Sequence, residues 1–191
     1  MMKKSLLLLA ALVLGGCATH WPETALLNPQ VIPSNQQYYS GNRITMEGVD
    51  KREAAYVFSI KKKEKAPVLV NSSQPLNNLL AEKLAEGLRS QGLEVGNSGT
   101  TNLTLAISTA AVTVEEKTFT YVTKSKVSLQ VIADFQGNRL TKQFNMSSSK
   151  EEPGEPTMAD LESTLNEQLG SVLQQIMADE ALRGYLKGQP S

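Results

Sequence analysis

The side chains with chemical potential here are sparse. There is one cysteine, Cys17, and one histidine, His20. A nucleophile activated by histidine needs its base held on a rigid scaffold, and His20 falls in a proline-spaced stretch three residues after Cys17. A zinc site of His and Cys ligands lacks donors for the same reason. Ser59-Ile60-Lys61-Lys62 and Ser147-Ser148-Ser149-Lys150 both spell Ser-x-x-Lys, the serine-nucleophile pattern of penicillin-binding enzymes. That chemistry needs the pair on one helical face. Both matches fall in strand-like text, where a separation of three puts side chains on opposite faces; the companion Lys-Thr-Gly is absent. Glu151, Glu152 and Glu155, broken by Pro153 and Gly154, lack the spacing of a calcium loop. An Asp/Glu acid–base pair converges only in the fold, but no short signature surrounds any acidic residue. Asp50 and Arg52 can bind a carboxylate or form a structural ion pair; two apart at a strand end, they favour the ion pair.

Cys17 carries a different chemistry. It follows a basic start with Lys3 and Lys4, an apolar run from Leu6 to Leu14, and Gly15-Gly16. Those are the three parts of an export signal. The run is about half the roughly 20 residues a membrane span needs. Leu14-Gly15-Gly16-Cys17 resembles the lipobox of bacterial lipoproteins, in which the thiol takes a diacylglyceryl group and the chain is cut before it. Cleavage a residue or two later, with a chance cysteine, is the alternative. Lipidation is favoured because a lone free thiol is a liability in an oxidising compartment. Each buried methylene contributes about 0.8 kcal/mol, so two or three acyl chains anchor effectively permanently. Ala18 after the cysteine, where retained lipoproteins of Gram-negative cells carry Asp, implies the outer membrane, facing the periplasm.

Composition narrows the partners. Nineteen basic residues balance nineteen acidic ones, and losing Lys3 and Lys4 with residues 1–16 leaves the mature chain at about −2. That is no footprint for nucleic acid. With no second cysteine, the body must be stable by its core alone, and about 150 residues suffice for a single one.

The elements that would position any site follow from periodicity. Residues 17–41, with Pro22, Pro29 and Pro33, read as a lipidated tether, reaching at most ~80 Å from the membrane. Within it, residues 25–32 are apolar enough to lie along an edge of the body. Trp21, Tyr38 and Tyr39 are membrane anchors, stacking groups or packing groups; packing onto the body is the favoured reading. The body spans 42–191. Short apolar runs end near Asp50, cover Ala55–Ile60 and cover Val68–Val70, with the cluster Lys61–Lys65 between the last two. That cluster is a solvated turn rather than an anion patch, being short and interrupted by Glu64. A helix capped by Ser73 or Gln74, with Pro75 in its first turn, carries Leu76, Leu79, Leu80, Leu84 and Leu88 on one stripe and stops at Gly92.

Residues 102–146 predict a meander of three antiparallel strands. Leu103, Leu105 and Ile107 alternate with polar residues. Phe119, Tyr121, Val127, Leu129, Val131 and Phe135 point one way, and Thr120, Lys124, Lys126, Gln130 and Asp134 the other. Gln136-Gly137-Asn138 turns, and Leu140, Phe144 and Met146 return. Thr157 to Asp160 form a capping box for a long helix striped with Leu161, Leu165, Leu169, Val172, Ile176 and Met177. Asp179 caps a short helix carrying Leu182, Tyr185 and Leu186.

The expected fold is α+β: a small antiparallel or mixed sheet of about five strands with two helices packed on one face. Leu76, Leu80, Leu84, Phe119, Leu129, Val131, Leu161, Leu165 and Leu169 should share one core. The polar meander face, with Thr120, Lys124, Lys126 and Gln130, is the candidate partner surface; a plain solvated face is its alternative.

The lipobox at Cys17, Leu27-Asn28-Pro29, Asp50-Lys51-Arg52, the 76–88 helix before Gly92, Asn102-Leu103-Thr104-Leu105 and the long last helix resemble, in that order, the YajG-type lipoproteins of gamma-proteobacteria. That family has no assigned function, so the resemblance implies address and fold without chemistry. The expectation is a non-catalytic outer-membrane lipoprotein that needs no cofactor and no metal beyond the covalent lipid on Cys17. It binds an envelope protein or peptidoglycan and no nucleic acid. The alternatives are a structural or assembly subunit of an outer-membrane machine and, well behind, an envelope hydrolase.

Overall fold

The computed structural model describes residues 21–188; Cys17 and His20 lie outside the described residues. The elements in order are β1 (Thr24–Ala25), β2 (Arg43–Asp50), β3 (Tyr56–Lys61), β4 (Val68–Ser72), α1 (Leu76–Ser90), β5 (Glu94–Gly96), β6 (Thr101–Glu116), β7 (Tyr121–Phe135), β8 (Asn138–Glu152), α2 (Met158–Ala178) and α3 (Glu180–Leu186). The α+β class is as expected. The sheet is larger, with eight strands instead of about five among the described residues, which also hold three helices.

β6 is the spine of the sheet. On one side it pairs antiparallel with β7, and β7 with β8, the expected meander. On the other side it pairs parallel with β2 over its first half and parallel with β3 over its second. β4 and β1 extend the sheet beyond β3, and β5 lies beyond β2. The register of β6 slips between Ile107 and Thr109, where its partner changes from β2 to β3. One extra residue shifts the inward phase from Leu103, Leu105 and Ile107 to Ala110, Val112 and Val114, all buried. A strict period of two therefore ends at Ile107, and the strand goes on.

The helices lie on one face. Gly48 of β2 lets α1 approach closely: a Cβ there would stand 2.3 Å from the Asn77 carbonyl oxygen. α1 begins after Pro75 with no side-chain cap, so neither Ser73 nor Gln74 plays that part. It ends as expected, with Gly92 at φ +89° and the Leu93 N–H returning to the Leu88 carbonyl at 3.1 Å. The capping box of Thr157 and Asp160 is present, and Asp179 caps α3 through the Leu182 N–H at 2.8 Å. Tyr185 of α3 pins the β7–β8 turn: its hydroxyl accepts from Phe135 N–H and donates to the Asn138 carbonyl.

The core unites α1, α2, α3 and the inner face of the sheet. Leu76, Leu80, Leu84, Leu129, Val131, Leu161, Leu165 and Leu169 all belong to it. Phe119 does not. It is 86% exposed in the β6–β7 turn, because these strands outrun the helices and no core lies beneath their tip.

The stretch assigned to a tether packs on the body from residue 21 onward. β1 pairs parallel with β4, at the edge position expected for this apolar stretch. Trp21, Ala25, Leu27 and Tyr39 are buried in the common core. Gln30 lies against Gly170 of α2, where a Cβ would stand 2.5 Å from the Gln30 carbonyl oxygen. The prolines do keep the segment out of a helix, but extended chain serves equally well to cover apolar helix surface. Burial pushes the Tyr39 hydroxyl up to about 12.

Candidate functional site

The face of the sheet opposite the helices carries the candidate surface. β7 runs between β6 and β8 over its full length, so each outward residue has a neighbour on both sides. Lys124 stands between Thr113 and Ser149, Lys126 between Ala111 and Ser147, and Gln130 between Ala106 and Gln143. These three share the outer face. Thr120 lies just beyond β7 in the turn, its hydroxyl donating to Glu151 Oε1 at 2.6 Å. At about 3.3 Å per residue the set is a stripe roughly 33 Å long, not a pocket.

Sequence reading missed the half of this surface contributed by β8. Thr141, Gln143, Asn145, Ser147 and Ser149 align beside the outward residues of β7. Their signal was the unbroken polar alternation against Leu140, Phe144 and Met146. Ser128 Oγ donates to Asn145 Oδ1 at 2.7 Å and accepts from Gln143 Nε2 at 2.7 Å. Toward the β7–β8 turn the face curls into a trough of about 560 Å³, lined by Thr45, Glu47, Asn102, Thr104, Asp134 and Arg139 among others. Hydroxyls, amides and one Arg139–Asp134 pair at 3.3 Å make this a hydrogen-bonding surface.

A second cleft, about 810 Å³, opens between β8 and the first half of α2. Gln168, 7% exposed, reaches toward the sheet at its floor. Its Nε2 donates to Ser148 Oγ at 3.0 Å and to Ser125 Oγ, and the two serine hydroxyls stand 2.7 Å apart. Among the described residues Gln168 Oε1 has no hydrogen-bond partner.

The other chemical candidates resolve into structural contacts. Arg52 clasps Asp50 with Nη2–Oδ2 at 2.8 Å and Nε–Oδ1 at 3.0 Å, and Nη1 donates to the Tyr56 carbonyl at 3.2 Å. The hydrogen bond from the guanidinium holds the Asp50 carboxyl below its usual range, against partial burial. This clasp closes the β2–β3 loop. Burial works against the charged form of Asp179, but Lys142 and the Leu182 and Ala181 N–H groups hold its carboxyl below the ordinary value. Glu155 pairs with Lys62 at 2.8 Å, tying the Lys61–Lys65 turn to the loop before α2. Glu152 pairs with Lys150 at 2.8 Å. Ser147 and Lys150 fall on opposite faces of β8, and Lys62 lies past the end of β3. Among the described residues no group of three or more His, Cys, Asp and Glu could hold a metal, and no helix is long and apolar enough to cross a membrane.

Residues 29–187 match an uncharacterized lipoprotein family. The chain belongs to that family. It is the YajG-type family that the order of motifs resembles, and it brings the lipoprotein class with it. Among curated proteins none matches. Among solved structures, protein XCC0632 of Xanthomonas campestris is similar over 87% of this chain and 98% of its own, at 8% identity and a TM-score of 0.62; the likeness is one of fold. Protein CT253 of Chlamydia trachomatis aligns over 78% of this chain and 99% of its own, at 10% identity and a TM-score of 0.38.

Proposed function

We propose that the chain is an outer-membrane lipoprotein, cleaved before Cys17 and lipidated there. Its body works on the periplasmic side as a non-catalytic binding accessory for peptidoglycan or an envelope protein. The export signal, the lipobox and Ala18 support the address. The observation that carries the binding role is the helix-free outer face of β6, β7 and β8. A sheet with one covered and one open face needs only that the open face be polar; what supports a binding role is that uncharged hydrogen-bonding groups, Ser128, Gln130, Thr141, Gln143, Asn145, Ser147 and Ser149, run in adjoining rows along it. Such a row suits partners rich in amides and hydroxyls, as the glycan and peptide of the cell wall are. The assembly-subunit reading has its own support in the free edge of β8.

Three measurements test the proposal. Cys17→Ser should move the protein into the soluble periplasmic fraction or leave an uncleaved precursor; processed protein still in the outer membrane would contradict lipid anchoring. The full chain in mild detergent should be retained on isolated peptidoglycan, and Lys126→Glu with Gln130→Ala should reduce that retention several-fold. Release of muropeptides that a single folded Asp or Glu variant abolishes would overturn the non-catalytic reading.

A further inference from the structure

Strand β8 is fifteen residues long, pairs among the described residues only with β7 and keeps one register along that whole length. In an antiparallel pair, alternate residues of an edge strand turn N–H and C=O away from their partner. Natural edges of this length are blunted by proline, bulges, inward charges or a covering element. β8 has no proline, shows no register shift against β7 and is uncharged from Gln143 to Ser149. Phe144 is its single buried residue.

The charges of β8 lie at its two ends, Arg139 and Lys142 before Asn145 and Lys150, Glu151 and Glu152 after it; Arg139 and Glu151 are the two on the outer face. With a two-fold axis through Asn145, a second copy of β8 laid antiparallel pairs all fifteen residues. Arg139 then stands opposite Glu151 of the second copy, twice over, on the outer face. Thr141 faces Ser149, Gln143 faces Ser147, and on the inner face Phe144 packs against Met146. No like charges oppose one another. Moving the axis to Met146 sets Lys142 against Lys150, and moving it to Ser147 leaves Asn138 to Thr141 unpaired. The strand is thus self-complementary in a single full-length register.

We infer that two copies of this chain join edge to edge through β8, in a C2 pair centred on Asn145. The two sheets become one continuous sheet, and the outer faces of both copies merge into a single polar surface. The second copy then runs along the β8 side of the cleft, with its Lys142, held by its own Asp179, opposite Ser148. The inference is independent of what the outer face binds.

Cysteine cross-linking of the full-length lipoprotein in cell envelopes tests it, using a short bismaleimide and the unsubstituted chain as control. Asn145→Cys, on the axis, should give a covalent dimer. Thr141→Cys and Ser149→Cys should each give none alone, because like positions stand roughly 26 Å apart across the axis at about 3.3 Å per residue; co-expressed in the same cells, the two should cross-link. Arg139→Glu should remove most of the Asn145→Cys product, and adding Glu151→Arg should restore it. No dimer from Asn145→Cys, or equal dimer from every single variant, would overturn the inference.

Discussion

The two faces of β6, β7 and β8 are made by the same strands, yet they answer to different demands. On the inner face Leu103, Leu105, Val112, Val127, Leu129 and Val131 are essentially inaccessible and meet α1 and α2. On the outer face Lys124, Lys126, Asn145 and Ser147 are exposed, with hydroxyl-to-amide contacts in place of packing. Burial decides the stability of this molecule, so the inner face is the one whose residues it cannot exchange. The outer face is free to be chosen for what it touches.

Substitutions should separate the faces by size of effect. The largest belongs to Leu169→Ala, under the centre of the sheet: removal of a fully buried Leu costs about 2–5 kcal/mol, lowering the melting temperature on the order of 10 °C. Gly170→Ala comes next. An alanine gains about 1 kcal/mol of helix propensity over glycine, but its Cβ meets the Gln30 carbonyl oxygen at 2.5 Å. Net loss of roughly 1–3 kcal/mol is expected, together with faster proteolysis within residues 21–41. Stabilisation instead would mean that this segment is not held against α2. Thr157→Ala removes the α2 cap and should cost about 1 kcal/mol. On the outer face, Lys126→Ala or Ser147→Ala should change stability by no more than about 0.5 kcal/mol in either direction. Comparable losses from both faces would erase the distinction.

Acid gives a view of the contacts at the margins of the sheet. Asp50, clasped by Arg52, and Asp179, held by Lys142, titrate below the ordinary carboxylate range in the folded protein. Groups shifted this way contribute fully above their unfolded value, near pH 4, and lose the contribution as pH falls through the folded one. The melting temperature should therefore be flat from pH 7 to about 5 and fall below roughly pH 4. Asp50→Asn with Asp179→Asn should lower the plateau and soften the fall.

The parts that sequence revealed were those written in a single period. α2 announces itself through Thr157, Asp160 and a leucine stripe, and β7 through its odd-numbered apolar residues. Where a second influence intervened, the reading slipped. The extra residue near Ser108 changed the inward phase of β6 and hid its last third. Phe119 kept the phase of β7 but fell past the end of the core. β1 and β5 are two and three residues long, too short for alternation to register, so the sheet was underestimated. Prolines in the first segment marked extended chain correctly without saying that Trp21, Leu27 and Tyr39 would be buried. Of the candidate surface, Lys124, Lys126 and Gln130 were legible from β7 alone. The β8 half depends on cross-strand register, which no local pattern states.

On the proposed function, the outer face is where this molecule meets its partner. Site-specific photo-cross-linking in living cells compares the faces directly, with the photoreactive residue placed at Lys124 or Lys126 on the sheet, away from the β8 edge, and at Glu82 or Glu86 on the exposed side of α1. Discrete adducts from the two sheet positions, and none from the two helix positions, are the predicted result. Adducts confined to α1, or the same pattern from all four positions, would contradict it.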